Sequence, residues 1–221
     1  MRNPWLDIAL ADYEGHMSSP EVAQAPMIAG VFAELLQTDR PHSVAVIGCA
    51  GGNGFERIDR SQTARVVGVD INATFLAEAR RRFDAAFDTL ELICADIAVD
   101  SAADPDPLGF APVDLMFAAL VFEYVDHRMV MPRLAARLRP GGRLAALLQL
   151  PAMGIPAITP TSGARLSALA PVLQLVAPDV IADAARGAGL TSSDTLQINL
   201  STGKNFQLLS FVLRLPAATP R

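Results

Sequence analysis

The sequence predicts an α/β fold in which a doubly wound, mostly parallel sheet of seven strands ends in an antiparallel strand pair. Over residues 42–150, short apolar runs alternate with segments of helical periodicity, a pattern typical of right-handed βαβ units. The last two strand-like runs, 194–200 and 206–215, are separated by only five residues. Because a parallel crossover needs about a dozen residues or more, we expect these two runs to pair antiparallel at or near one edge.

The N-terminal part, residues 1–41, is predicted to be a helical flank. Apolar residues recur at spacings of three and four between Pro20 and Leu36, which indicates an amphipathic helix with Pro26 near its start. The first strand, 42–48, ends in a glycine-rich loop, and residues 55–61 then have a helical pattern. These segments predict a strand, a loop and a helix in succession.

The core continues to residue 150 with four more strands and two more helices. The strands are predicted over residues 64–70, 90–96, 113–121 and 143–150, and the helices over residues 72–83 and 126–139. The first two of these strands end in an aspartate, and an acidic, proline-rich loop is predicted over 100–112. Apolar content on both faces of 113–121 predicts a strand that is buried on both sides.

The composition is apolar, with 51% hydrophobic residues and a mean hydropathy of +0.31 in 221 residues. A membrane span is nevertheless not expected, because the longest apolar run, 115–122, is far shorter than the ~20 residues that a spanning helix needs. Asp7, Asp12 and Glu14 also argue against a secretory leader. Cys49 and Cys94 lie in apolar segments at no metal-like spacing, so we expect a single cytoplasmic domain with reduced cysteines and no metal.

The charge balance argues against nucleic acid as a partner. The formal net charge is −5, and the sequence contains one lysine, Lys204. Binding to a phosphate backbone requires a basic surface, which this composition does not supply. We therefore expect a small-molecule substrate, no nucleic-acid partner and no membrane partner.

Three features lie where parallel strands end, at the edge of the sheet that binds ligands in open α/β folds. The loop Gly48-Cys-Ala-Gly-Gly-Asn-Gly54 has small residues that allow a backbone to approach a ligand. Asp70 ends the second strand, at a place where an acid can accept hydrogen bonds from two ribose hydroxyls. Asp96 ends the third strand and could accept a hydrogen bond from an adenine amino group.

These residues resemble those of class I S-adenosylmethionine-dependent methyltransferases. The run Val-Ala-Val-Ile-Gly-Cys-Ala-Gly-Gly-Asn-Gly resembles the first motif of that family, Gly-Val-Asp70 its ribose acid and Cys-Ala-Asp96-Ile its adenine acid. Val-Asp114-Leu-Met-Phe-Ala-Ala-Leu resembles the fourth-strand motif, and Leu-Arg-Pro-Gly-Gly-Arg the turn before the fifth strand. The resemblance covers about 44–215 and implies a Rossmann-like methyltransferase fold that binds S-adenosylmethionine and releases S-adenosylhomocysteine.

The resemblance also implies the cofactor contacts. Many members of the family have an acid at the position of Val46, so we expect Tyr13, in a segment similar to those that close over the cofactor, to supply part of the methionine site. The residues expected to bind the cofactor are Tyr13, Gly48, Cys49, Ala50, Gly52, Asn53, Asp70, Ile71, Asp96, Ile97 and Ala118.

Two residues are candidates for catalysis. Glu123 follows the fourth strand, where a substrate-facing residue would sit, and the alternative is a carboxylate at a helix start. His16 could act as a general base, although a histidine in a polar N-terminal segment is more often a surface residue. Asp114, by contrast, is expected to be structural.

The expected activity is methyl transfer to a small-molecule acceptor by in-line displacement. One alternative is a protein of the same fold that binds the cofactor without transferring methyl. The other is a nicotinamide-type oxidoreductase, whose G-x-G-x-x-G fingerprint would need glycines at Gly48, Ala50 and Asn53, of which only the first fits.

The domain is predicted to have a cofactor-binding core over 42–150, and a last helix with the hairpin over 179–215. Between them, residues 151–178 form an apolar stretch with Arg165 as their only charge. Two interpretations fit this stretch: a lid over a partly apolar acceptor, or a homodimer interface.

Overall fold

The computed structural model describes residues 3–99, 107–161 and 165–214. One sheet of seven strands forms the centre of the fold, in the spatial order β3-β2-β1-β4-β5-β7-β6. The strands are β1 (Ser43–Ile47), β2 (Arg65–Asp70), β3 (Thr89–Cys94), β4 (Val113–Ala119), β5 (Leu138–Leu150), β6 (Leu190–Asn199) and β7 (Asn205–Leu213). The helices are α1 (Leu10–Ser18), α2 (Gln24–Asp39), α3 (Ala73–Phe83), α4 (His127–Ala135) and α5 (Pro178–Gly187).

The strand pairing confirms the predicted mixed sheet. Strands β1 to β5 run parallel, and β1 lies between β2 and β4, so the strand order reverses beside it. Strand β7 pairs antiparallel with β5, and β6 pairs antiparallel with β7 at the edge. The predicted end of the last strand, residue 215, lies outside the described residues.

Two apolar clusters cover the two faces of the sheet. Alternate residues of a strand point to opposite faces, so Ala45 and Ile47 pack with the face covered by α4 and α5, whereas Val44 and Val46 pack under α2. Phe32 of α2 stacks on Phe117 of β4 with ring centroids 4.9 Å apart. Burial on both faces explains why all five residues of β1 are buried.

Polar side chains begin two of the helices. The side chain of Asn72 accepts a hydrogen bond from Thr74 N at 3.0 Å at the start of α3. The side chain of Asp126 accepts a hydrogen bond from Arg128 N at 2.9 Å at the start of α4. Pro132 lies within that helix. These caps satisfy backbone N–H groups that a helix start leaves without intrahelical partners.

The N-terminal flank is helical, but it contains two helices where the sequence predicted one. Ala23 has a left-handed backbone conformation (φ 52°) that separates α1 from α2. Pro26 is the third residue of α2, a position in the first turn, where a missing N–H removes no intrahelical bond.

The predicted helix over 55–61 is wrong, because only a 3₁₀ turn, Phe55–Arg57, forms there. The side chain of Asp59 accepts hydrogen bonds from Ser61 N at 2.9 Å and Ser61 Oγ at 2.7 Å. Such a local side-chain turn competes with helical backbone bonds and ends the segment.

None of the helices within the described ranges is long and apolar enough to cross a membrane. The only stretch of the predicted acidic loop that the structure describes is 107–112, since residues 100–106 lie outside the described residues.

Asp114 ties the start of β4 to the start of β1. Its Oδ2 accepts hydrogen bonds from Ser43 N at 2.8 Å and Ser43 Oγ at 2.7 Å, and its Oδ1 accepts one from Arg139 Nη1 at 3.0 Å. Asp114 thus lies at the amino ends of the parallel strands, opposite the edge where their carboxyl ends meet. This placement agrees with a structural carboxylate.

We predict that Asp114→Ala lowers the free energy of unfolding by about 1–3 kcal/mol, because it leaves the partly buried donors of Ser43 without their acceptor. Asp183→Ala serves as the control, since Asp183 forms an ion pair with Arg186 at the surface and both side chains are at least 70% exposed. That change should cost less than about 1 kcal/mol. Urea denaturation measures both, and equal effects would contradict the structural role of Asp114.

Candidate functional site

A cavity of about 200 Å³ opens at the carboxyl edge of the sheet, where the strand order reverses. Its floor comes from residues at the ends of β1, β2 and β4 and from the chain that follows β3. Its cover comes from the N-terminal segment and from Ala157, Ile158, Leu166, Leu169 and Leu173. This is the edge at which ligands bind in open α/β sheets.

The glycine loop turns over the end of β2. The N–H groups of Gly48 and Cys49 both donate to Val69 O, at 2.8 and 3.1 Å. Gly48 has φ +71°, and a Cβ there would lie 2.9 Å from Val121 Cγ2. Gly48 and Ala50 line the cavity, so this part of the loop leaves room for a ligand.

Gly52 lies away from the cavity lining and is required for another reason. Its φ is +94°, and a Cβ there would lie 2.5 Å from Phe83 Cε2. This glycine therefore lets the loop pack against the Phe83 ring, and its predicted contact with a cofactor stays a prediction.

Three other expected cofactor residues also lie outside the cavity lining. Cys49 is fully buried in the apolar cluster under α2. Asn53 Nδ2 donates to the Tyr13 hydroxyl at 3.0 Å, so Asn53 positions Tyr13. Ala118 points into the cluster under α4, while Ala119, one residue later, lines the cavity. The last difference follows from the two-residue side-chain period of a strand.

The carboxylate of Asp70 lies at the floor of the cavity. Its Oδ2 accepts a hydrogen bond from Ala50 N and its Oδ1 one from Asn72 N, both at 2.8 Å. Burial raises the pKa of Asp70, and the backbone hydrogen bonds oppose that rise. Since a carboxylate oxygen can accept more than one hydrogen bond, both oxygens keep capacity for a ligand hydroxyl.

The chain after β3 supplies the neighbouring part of the floor. Asp96 Oδ1 accepts a hydrogen bond from Ala98 N at 3.0 Å, which holds the turn in place. Asp96 and Ile97 line the cavity, as does Ile71 from the end of β2. An acid between two apolar side chains can receive a flat heterocycle that has one amino group.

Aromatic rings form one side of the cavity, which we call the aromatic wall: Trp5, Tyr13, Phe75 and Tyr124. Trp5 meets Tyr13 edge to face at 5.8 Å and Tyr124 at 5.1 Å, and Tyr13 stacks on Phe75 at 6.1 Å. Asn72 Nδ2 donates to Trp5 O at 3.0 Å and so joins the N-terminal segment to α3. Burial, followed by the charge of Asp70, raises the pKa of Tyr13.

Glu123 is buried and lines the cavity next to Tyr124 of the aromatic wall. The backbone turns after β4 at Leu120, which has φ +57°, and this turn brings Glu123 and Tyr124 to the cavity. Glu123 Oε1 accepts a hydrogen bond from Gln149 N at 2.7 Å, but Oε2 has no partner within the described parts of the chain. Burial raises the pKa of Glu123 from 4.5 to about 7.

Polar groups continue along this side from α1, α2 and β5. His16 is buried, and its Nδ1 lies 2.9 Å from Thr161 Oγ1. Gln24 Nε2 donates to Gln149 Oε1 at 3.2 Å, and Gln149 Nε2 donates to Ala157 O at 2.9 Å. Burial, followed by the positive charge of Lys204, lowers the pKa of His16.

Lys204 is also buried, and its Nζ donates a hydrogen bond to Ala157 O at 2.7 Å. Burial lowers its pKa to about 8. Trp5, Gln24, Gln149 and Lys204 were not predicted as site residues. Trp5 and Lys204 could have been noticed because each is the single residue of its type in the sequence, whereas no sequence pattern marks the two glutamines.

Part of the apolar stretch 151–178 covers the cavity. Ile158, Leu166, Leu169 and Leu173 line it, whereas Met153 and Ile155 are exposed to solvent. Gly163 of this stretch lies outside the described residues. Within the described ranges, no group of three or more His, Cys, Asp or Glu side chains is placed to hold a metal ion.

Comparison with known proteins identifies the central part of the chain. Residues 45–146 match a family model described as a methyltransferase domain. Similar relatives include a trans-aconitate 2-methyltransferase from Azoarcus sp. (strain BH72), 38% identical over 115 residues, or 51% of this chain and 40% of the relative. Another from Paracidovorax citrulli (strain AAC00-1) is 43% identical over 110 residues, which are 49% of this chain and 38% of that relative. The chain thus spans about two fifths of the length of these curated relatives.

Solved structures have the same fold at low sequence identity. The N-methyltransferase NodS from Bradyrhizobium japonicum WM9, in complex with S-adenosyl-L-homocysteine, is 18% identical with a TM-score of 0.63, covering 88% of each chain. The [4+2]-cyclase SpnF is 14% identical with a TM-score of 0.64, covering 86% of this chain and 82% of its own. These similarities establish the fold.

We predict that Gly52→Ala lowers the free energy of unfolding by about 2–4 kcal/mol, through the left-handed backbone and the contact with Phe83. Gly30→Ala is the control, because Gly30 lies within α2 with open space around it. That change should stabilise the protein by about 0.5–1 kcal/mol. A Gly52→Ala protein of unchanged thermal stability that no longer binds ligand would contradict this assignment.

We also predict that Glu123→Gln becomes progressively more stable than the wild-type protein as pH rises from 4.5 to 7. The folded protein binds a proton at Glu123 that the unfolded chain releases in this range, so this group's contribution to stability is lost as pH rises. Above the folded pKa the difference should reach on the order of 3 kcal/mol.

Denaturation of both proteins at several pH values measures this difference. Glu34→Gln, the same change on the exposed surface of α2, should alter stability by less than about 0.5 kcal/mol. A difference between Glu123→Gln and the wild-type protein that does not vary with pH would contradict a buried, ionisable Glu123.

Proposed function

We propose that this protein transfers a methyl group from S-adenosylmethionine to a small-molecule acceptor, because residues 45–146 match the family model of a methyltransferase domain. The observation that carries the proposal is the partly buried Asp70 carboxylate. Backbone N–H groups from the glycine loop and from the start of α3 hold it at the cavity floor. Its remaining acceptor capacity suits the two hydroxyls of a ribose.

The other residues of the floor and the aromatic wall fit the rest of the cofactor. Asp96, Ile71 and Ile97 would hold the adenine, and Gly48 and Ala50 leave space beside the ribose. Many members of the family have an acid at the position of Val46. Tyr13, held by Asn53, would make the contact with the methionine part of the cofactor that this acid makes elsewhere. We propose that Cys49, Gly52, Asn53 and Ala118 support these residues from behind.

When bound, S-adenosylmethionine supplies an electrophilic methyl group attached to a sulfonium sulfur. The chain's contribution is then to orient the two reactants and to exclude water, which accounts for much of the rate in such transfers. Trp5, Tyr124, Leu166 and Leu169 provide an apolar enclosure for that purpose. We accordingly propose that residues 151–178 act as a lid, with the exposed Met153 and Ile155 as the part that would suit a homodimer contact.

A second candidate function is cofactor binding without methyl transfer. SpnF, which has this fold, is a [4+2]-cyclase, and one fold commonly hosts several chemistries. The relatives from Azoarcus and Paracidovorax instead favour methyl transfer and suggest trans-aconitate as a first acceptor to assay. The free thiols of Cys49 and Cys94 support a reducing compartment, and we propose the cytoplasm.

Asp70→Asn should weaken S-adenosylmethionine binding at least tenfold, because the amide loses the charge and one acceptor position. Isothermal titration calorimetry with S-adenosylmethionine, S-adenosylhomocysteine and NAD measures the effect and tests the oxidoreductase alternative. Asp59→Asn is the matched control, since Asp59 also accepts two hydrogen bonds but is exposed.

Thermal melting of each variant separates loss of binding from loss of folding. Asp70 also accepts backbone bonds, so a lower melting temperature is expected alongside weaker binding. Unchanged affinity in a folded Asp70→Asn protein, or binding of NAD in preference to S-adenosylmethionine, would refute the proposal.

A further inference from the structure

The acceptor side of the cavity, formed by His16, Met17, Gln24, Glu123, Gln149 and Ala157, has an acidic group and no cation. Among the described residues that line the whole cavity, the charged types are Asp70, Asp96 and Glu123, with no arginine or lysine. Lys204 donates a hydrogen bond to Ala157 O and is not one of the lining residues. We propose that the acceptor is a largely apolar, uncharged or cationic molecule whose N–H or O–H group donates to Glu123, and that carboxylates are disfavoured.

The unpartnered oxygen of Glu123 is the first step of this inference, which rests on the proposed function. Oε1 is occupied by Gln149 N, and Oε2 is buried without a partner in the described chain. A buried carboxylate oxygen without a hydrogen bond is costly, and a donor on the ligand would relieve that cost. The site is thus complementary to a protic nitrogen or oxygen.

The charges around the cavity provide the second step. A polycarboxylate such as trans-aconitate would place several negative charges on the side of the cavity that holds Glu123, without an arginine or lysine among the described lining residues. The aromatic wall, by contrast, lines the cavity with tryptophan and tyrosine rings, the side chains with which cations interact favourably. The cavity therefore discriminates against the acid for which the curated relatives are named.

Glu123 would act as the proton acceptor in the methyl transfer. The acceptor nitrogen or oxygen forms a bond to the methyl carbon while the carbon–sulfur bond breaks, and that electron pair remains on sulfur. The acceptor's proton passes to Glu123 Oε2. Because burial raises the pKa of Glu123 to about 7, the group can receive and release this proton near neutral pH.

Other titratable groups around Glu123 are distinguishable from it. His16 and Tyr13 approach from α1, Tyr124 adjoins it, Asp70 and Asp96 lie at the floor, and Lys204 lies between β6 and β7. Burial lowers the pKa of His16 and raises that of Tyr124. Burial also lowers the pKa of Lys204 to about 8, but Lys204 does not line the cavity, so we expect replacement of Glu123 to remove the limb near pH 7 from the rate profile.

The first test measures binding without turnover. The full chain, saturated with S-adenosylhomocysteine, is titrated by calorimetry with phenethylamine, phenethyl alcohol, phenylacetate and trans-aconitate. The amine or the alcohol should bind at least tenfold more tightly than either carboxylate, and the better of the two identifies the attacking atom. Equal or tighter binding of a carboxylate, or no measurable binding of the amine and the alcohol, would overturn the inference.

The second test replaces Glu123 and follows methyl transfer to the preferred probe. Glu123→Gln should keep S-adenosylhomocysteine affinity within twofold, lose the preference over carboxylates, and lower kcat at least a hundredfold with KM within a few-fold. The acid limb of the kcat profile near pH 7 should disappear. Glu34→Gln, the same change on the exposed face of α2, should match the wild-type protein.

The outcomes separate the two levels of the proposal. A wild-type protein that binds neither S-adenosylmethionine nor S-adenosylhomocysteine would overturn the proposed function itself. A protein that binds both but prefers carboxylates, or a Glu123→Gln variant that keeps its kcat and pH profile, would overturn only the assignment of the acceptor and of Glu123.

Discussion

The partly buried carboxylate of Asp70 joins the end of β2, the glycine loop and the start of α3. Its two oxygens accept backbone N–H groups from Ala50 and Asn72, so the loop and the helix are positioned by one charged group. Burying that charge is unfavourable, and the charge-assisted hydrogen bonds offset the cost. Asn72 in turn caps α3 and donates to Trp5 O, so the aromatic wall depends on the same junction.

Asp70 and Glu123 show two different ways of keeping an acid inside the protein. Asp70 has a protein donor for each oxygen, which fixes its orientation and still leaves lone pairs for a ligand. Glu123 has a donor for Oε1 alone, and its other oxygen is unpartnered in the described chain. The first arrangement suits a permanent ligand site, and the second suits a group that exchanges a proton with a transient partner.

The apolar composition is accounted for by both the sheet and the cavity cover. Central strands are covered on both faces, which requires apolar residues at consecutive positions. A third, smaller cluster contains Ile8, Ala50, Phe75, Leu166 and Leu169 and closes the cavity from above. This cluster joins residues from the N-terminus, the glycine loop, α3 and the stretch after β5.

The sequence by itself determined the strand order along the chain and the positions of Asp70 and Asp96 at strand ends, because these follow from local periodicity and from the way parallel strands terminate. Local patterns failed at 55–61, where the Asp59 side chain ends the segment, and they gave no sign that Gly52 packs against Phe83. Only the tertiary structure brought Gln24 and Gln149 together, across 125 residues of sequence, and left Glu123 Oε2 unpartnered within the described chain. The physical reason is that periodicity determines which face a residue occupies, whereas hydrogen bonds and burial depend on packing between segments that are distant in the chain.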